Sequence, residues 1–142
     1  MRLWHDCLIP FLPRQQLLGQ HRECCALRGK GWGKTHATVN YVCQYSPYCL
    51  FLYHRPVMNE MKERGYNVDE SWLDPLYRGK HCEPHRFLER LSIAEDPIYP
   101  EHNDTYLHEC LQNLEDKGVT IPDAALHNCR TTSTYKHHTG SR

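Results

Sequence analysis

Between Asp6 and Glu60 the chain carries a single carboxylate, Glu23, set among Arg14, Arg22, Arg28, Lys30 and Lys34. A surface that only holds a polyanion gains nothing from an acid, because a carboxylate repels phosphate. The plain reading is a solvated glutamate on a helix. The sharper one is a carboxylate positioned to move a proton or stabilise a developing cation. Two other stretches invite chemistry. Gly33-Lys34-Thr35 resembles the end of a nucleotide-binding P-loop, but the glycine required five residues earlier is Arg28, so a basic turn touching a phosphate backbone fits better. His81-Cys82-Glu83-Pro84-His85 offers three borderline metal ligands, one short of a closed zinc site and without a second cluster at ligand spacing. An ordinary turn is its expected role, and no metal is expected.

These residues need elements to position them. Pro13 suits a helix start, and RQQLLGQHRECCALR then places Leu17, Leu18, Cys24, Cys25 and Leu27 on a broad apolar stripe. Gln16, Gln20 and Glu23 share another face, and Gly29 stands where a terminal cap belongs. Gly19 is expected to permit a close approach. A second helix should start at Ser46-Pro47 and stop at Gly65, kinked or divided by Pro56. Residues 69–92 read as short helical pieces with turns. A last helix should run from Asn103 or Asp104 to Lys117, closed by Gly118. Residues 38–42 are the one weak strand candidate. MNEMKERGYNV (58–68) echoes LQNLEDKGVTI (111–121) position by position, as two helices stopped in the same way. The expectation is a mainly α, compact single-domain bundle over residues 1–128 with irregular connections, then a polar, mobile basic tail over 129–142.

The 142 residues fit one domain, with 17 basic and 17 acidic side chains. The balance hides an asymmetry. Residues 1–59 carry seven basic side chains against Asp6 and Glu23, residues 60–123 are strongly acidic, and residues 124–142 carry three basic groups and no acid. That excludes promiscuous coating of nucleic acid but allows one phosphate-binding face. The longest apolar run, Cys49 to Tyr53, is far short of the ~20 residues of a membrane span. The first sixteen residues hold an acid and two prolines, unlike a signal peptide, so a cytoplasmic location is expected. Eight cysteines without a CxxC pair are then expected to be free thiols.

The stretch LIPFLPRQQLLGQHRE (8–23), the distance of Arg22-Glu23 from the chain start and the helix end MKERGYNV (61–68) resemble a known family. It is that of the pyrimidine-dimer DNA glycosylases with abasic-site lyase activity, of the phage endonuclease V type. The resemblance covers most of residues 1–70, thins over 71–128 and returns faintly at Tyr135-Lys136. It implies a compact helical fold whose first helix points a glutamate at the chain's own α-amine. In that family the amine attacks C1′ of a damaged nucleotide, displaces the base and leaves an imine, and β-elimination cuts the strand. Carried onto this chain, Glu23 is the catalytic carboxylate and Arg22 a phosphate contact. Gln15 and Gln16 fall at DNA-contacting positions, and Arg2 matches an N-terminal arginine. The family's amine belongs to a threonine exposed by methionine removal. Here Arg2 is too large for that removal, so Met1 is expected to supply the nucleophile.

The expected function is therefore a DNA repair glycosylase and abasic-site lyase acting on damaged pyrimidines in double-stranded DNA. It would work as a monomer, without cofactor, metal or membrane. Met1 and Glu23 would be catalytic, and Arg2, Gln15, Gln16, Arg22, Arg28, Lys30, Lys34, Tyr135 and Lys136 would bind DNA. A non-catalytic nucleic-acid-binding relative is the first rival. A thiol-rich metal or redox protein built on His81, Cys82 and His85 is the second.

Overall fold

In the computed structural model, residues 2–33, 40–88 and 98–122 are described. Three α-helices carry the fold: α1 (Arg14–Arg28), α2 (Pro47–Glu63) and α3 (Asp104–Asp116). Short 3₁₀ turns lie at Asp6–Phe11, Asn40–Gln44 and Glu70–Leu73. The protein is mainly α, with no strand among the described residues. No helix among them is long and apolar enough to cross a membrane.

Each helix end has a local cause. α1 starts after Pro13, whose carbonyl accepts the Leu17 amide at 2.9 Å. At its far end the Gly31 amide folds back onto the Ala26 carbonyl at 2.8 Å. A Cβ on Gly31 would stand 2.8 Å from that same oxygen, so only glycine fits the turn. Ser46 caps α2 by accepting the Tyr48 amide at 3.1 Å, with Pro47 in the first turn where a missing N–H costs nothing. Asn103 caps α3 through the Tyr106 amide at 2.9 Å. The echo between 58–68 and 111–121 is a shared stop. Gly65 and Gly118 sit at φ of 84° and 82°, and the Tyr66 and Val119 amides each reach back 2.9 Å to the carbonyls of Met61 and Leu114.

α2 is the central element. It buries Leu50, Phe51, Leu52, Tyr53, His54, Val57, Met58 and Met61, and it packs along α1. Leu17, Cys24 and Leu27 of α1 and Leu107, Cys110 and Leu114 of α3 close the same core. At ~1.5–3 kcal/mol for each fully buried large side chain, this core is the main source of stability. Arg64 at the end of α2 ties in the first 3₁₀ turn, donating to the carbonyls of Leu12 at 2.7 Å and Pro10 at 3.0 Å.

Four expectations need correction. α2 is not divided at Pro56 but continues through it as one helix, because the buried face on both sides of the proline outweighs one missing backbone hydrogen bond. Within the strand candidate 38–42, residues 40–42 form 3₁₀ helix instead, with Val42 in the core. A Cβ on Gly19 would meet only the Arg22 guanidinium at 3.7 Å, so this glycine faces open space rather than a close neighbour. Cys7 is disulfide-bonded. Cys24, Cys25, Cys43, Cys49, Cys82 and Cys110 are free thiols.

Candidate active site

Gln20 brings the start of the chain to α1. Its side chain is buried at 2% exposure, so its amide must find partners inside the protein. Oε1 accepts the Trp4 amide at 2.7 Å, and Nε2 donates to the Arg2 carbonyl at 3.0 Å. This two-point bond lays residues 2–4 along the helix. Tyr53 from α2 donates its hydroxyl to the Trp4 carbonyl, and Tyr106 from α3 donates to the Leu3 carbonyl. Three helices thus fix three consecutive carbonyls.

Above this clamp opens a cleft of about 450 Å³. Residues 2–4 supply Arg2 and Trp4, one face of α1 supplies Gln15, Gln16, Gly19, Gln20, Arg22 and Glu23, and the end of α3 supplies Asn113 and Lys117. Arg2, Gln15, Gln16, Arg22 and Glu23 are all sequence-derived candidates, and the fold brings them to one place. Among the described residues Glu23 is the only carboxylate lining the cleft, against the cations of Arg2, Arg22 and Lys117. A concave site with cations on two walls and one acid between them suits a phosphate-bearing ligand that undergoes acid–base chemistry. Sequence reasoning missed Trp4, Asn113 and Lys117. The last two stand four residues apart on one helix face, but nothing local says which cleft that face overlooks.

Comparison with known proteins gives the family. The family model described as pyrimidine dimer DNA glycosylase matches residues 1–74. The chain belongs to that family. The activity that describes the family is that of a DNA glycosylase. The first two walls of the cleft, residues 2–4 and α1, lie within the matched segment, whereas the α3 wall lies outside it. No curated protein matches the chain, and no solved structure does.

Other candidates fall elsewhere. Arg28 is a correction: it is 5% exposed and turned inward. Its guanidinium donates to the carbonyls of Trp72 at 2.7 Å, Asp74 at 2.8 Å and Tyr77 at 3.1 Å, and lies over the rings of Trp72 and Phe51. A guanidinium used in this way fastens the 72–77 turn to α1 and is not available to a phosphate. Lys30 is exposed, but it lines a second cleft of about 390 Å³ with Cys25, Trp72, Tyr77, Arg78 and Lys80. Met1, Lys34, Tyr135 and Lys136 lie outside the described residues, as does the tail from 129.

Behind α1 the same Arg28 organises a buried relay that the sequence did not announce. It donates to His54 Nδ1 at 3.0 Å, so His54 carries its proton on Nε2 and gives it to His21 Nδ1 at 2.8 Å. His21 Nε2 stands 3.7 Å from the Cys25 thiol. Burial first, then the Arg28 charge, holds His54 well below the ordinary imidazole range. Burial, then Arg22 and Arg28, lowers His21. His81, Cys82 and His85 belong to neither of the two places where three metal-type ligands converge among the described residues.

Proposed function

We propose that this protein is a glycosylase and abasic-site lyase for damaged pyrimidines in double-stranded DNA, with the α-amine of Met1 as nucleophile and Glu23 as acid and base. The observation that carries this reading is the Gln20 clamp. It fixes the Arg2 carbonyl and the Trp4 amide beside α1, so Arg2 and Trp4 line the same cleft as Glu23.

The chemistry follows from the groups. A terminal amine has a reference pKa of about 7.7–8.0, so a useful fraction is unprotonated at neutral pH without deep burial. The amine attacks C1′ and forms a C–N bond while the glycosidic bond breaks, its electron pair leaving with the base. Glu23 faces the positive charge that grows on the sugar during this step. The ammonium so formed loses one proton, its nitrogen lone pair opens the C1′–O4′ bond, and O4′ leaves with that electron pair and takes up a proton, which gives the iminium. A C2′ proton passes to the carboxylate, the new double bond forms, and the 3′ phosphate departs with its electron pair. Water then releases the amine. Arg2, Arg22 and Lys117 hold phosphates on either side, with Gln15 and Gln16 along the same face. Bringing the sugar to the amine requires an unstacked nucleotide, a cost of a few kcal/mol that is least at a lesion. The steps use only the amine and the carboxylate, and a monomer acting in the cytoplasm suffices.

Borohydride trapping on an oligonucleotide with one abasic site tests this. The expected result is a covalent adduct mapped to the Met1 amine, sharply reduced in Glu23→Gln. DNA binding that weakens with salt but never yields an adduct would establish the non-catalytic relative instead.

A further inference from the structure

His5, Asp6 and His102 come together beneath the N-terminal segment, one ligand atom from each lying within 4.8 Å of the others. His5 and His102 are buried at 3% and 1% exposure, and Asp6 is nearly so. The proton positions follow from the hydrogen bonds around them. Tyr106 spends its one hydroxyl proton on the Leu3 carbonyl, so in its bond with Tyr41 it accepts. Tyr41 has then spent its own proton and must accept from His102 Nε2, 2.8 Å away. His102 Nδ1 is left as a buried lone pair without a hydrogen-bond partner, and Tyr99, whose ring centroid lies 5.7 Å from that of His102, also has an unpartnered hydroxyl. On the other side, His5 Nδ1 accepts the Cys7 amide and lies 3.4 Å from Asp6 Oδ1. Two imidazoles and a carboxylate therefore converge in the core, and one of them, His102, brings a buried lone pair without a donor. A buried polar atom left without a partner is costly, and a cation held by the cluster removes that cost.

We propose that His5, Asp6 and His102 bind a divalent transition-metal ion of the zinc type. The donors are right for it: two imidazoles and one carboxylate, with a fourth position left for water. Donor atoms around such an ion stand roughly 3.3 Å apart, so the three side chains need to close by about an ångström or so. As they close, the ion takes the His5 Nδ1 lone pair from the Cys7 amide, whose 3.2 Å bond to it is at the long end of the hydrogen-bond range. The Nε2–H to Tyr41 to Tyr106 chain is the outer-shell partner that metal-bound histidines use to fix their orientation. The ion's role is structural. It ties the first 3₁₀ turn to the 98–102 segment directly below Leu3 and Trp4, whose carbonyls anchor the cleft wall. The His21, Cys25 and His54 cluster differs, because the Arg28 cation on His54 Nδ1 forces a proton onto the nitrogen that would have to ligate.

Cobalt tests this on the full chain after chelator treatment. The expected result is one equivalent of Co²⁺ that survives gel filtration and gives a visible d–d band, without a thiolate charge-transfer band. Affinity should fall about 100-fold or more in His102→Ala and in Asp6→Asn. It should be unchanged in the double variant His21→Ala, Cys25→Ser. X-ray absorption of the wild-type cobalt protein should show nitrogen and oxygen only, which reads the site even if a variant fails to fold. Sulfur in the shell, no retained cobalt, or retention in both site variants would overturn the assignment.

Discussion

α1 carries Arg22 in its middle and Arg28 at its end, and the two meet opposite fates. Arg22 is exposed and lines the Glu23 cleft, whereas Arg28 is buried and clasps three carbonyls of the 72–77 turn. Residue type, helix and local charge are the same. What differs is the element covering each position: open cleft at one, the Trp72 turn at the other. An arginine near a catalytic helix is therefore not a phosphate ligand by default. Where both its terminal nitrogens are already spent inside the protein, it is part of the scaffold.

Removing the carboxylate that defines the cleft end should have the largest effect. Glu23→Gln is expected to slow adduct formation and strand cleavage by about 10²–10⁴-fold while DNA affinity changes little, measured by single-turnover cleavage beside a binding titration. Cleavage within a few-fold of wild type would remove Glu23 from the chemistry. At the other end, Arg28→Ala should cost about 3 kcal/mol of stability, because three turn carbonyls lose their donor. Urea unfolding measures it, and the folded variant should bind DNA with an unchanged salt slope. A reduced slope would return Arg28 to the interface and erase the contrast between the two arginines.

Acid should act on the Arg28 end too. His54 and His21 have folded pKa values below the ordinary 6.5, so the unfolded chain binds their protons first as pH falls. Their contribution is fully present above about pH 6.5 and is lost progressively below it. The urea midpoint should accordingly drop between pH 7 and pH 5, and a flat midpoint across that range contradicts the buried relay. The smallest effect belongs to the cleft cations. Arg22→Ala and Lys117→Ala should each weaken DNA binding several-fold, about 1 kcal/mol, and lower the salt slope by about one. If only Arg22→Ala does so, the α3 wall is not part of the DNA-binding surface.

The apolar stripe Leu17, Cys24 and Leu27, the Ser46-Pro47 start and the stops at Gly65 and Gly118 are legible in the sequence because each depends on residues within a turn or two of each other. Their geometry is local, and it is the geometry found. Glu23 stands out for an equally local reason, a single acid among bases. Pro56 misleads because the sequence shows only the local penalty of one hydrogen bond. The eight buried α2 side chains that offset it exist as a term only once the core has formed.

The sequence by itself determined the helices, their ends and the composition of one face of α1, because backbone propensity and the 3.6-residue period act over short separations. Tertiary structure alone decided that Gln20 would pin residues 2–4, that Lys117 would line the same cleft as Glu23, that Arg28 would turn inward and that His5 would meet His102 across 97 positions of chain. Each of these is a contact between distant segments. Which distant groups meet is set by how the buried faces of α1, α2 and α3 pack, and no short stretch of sequence carries that information.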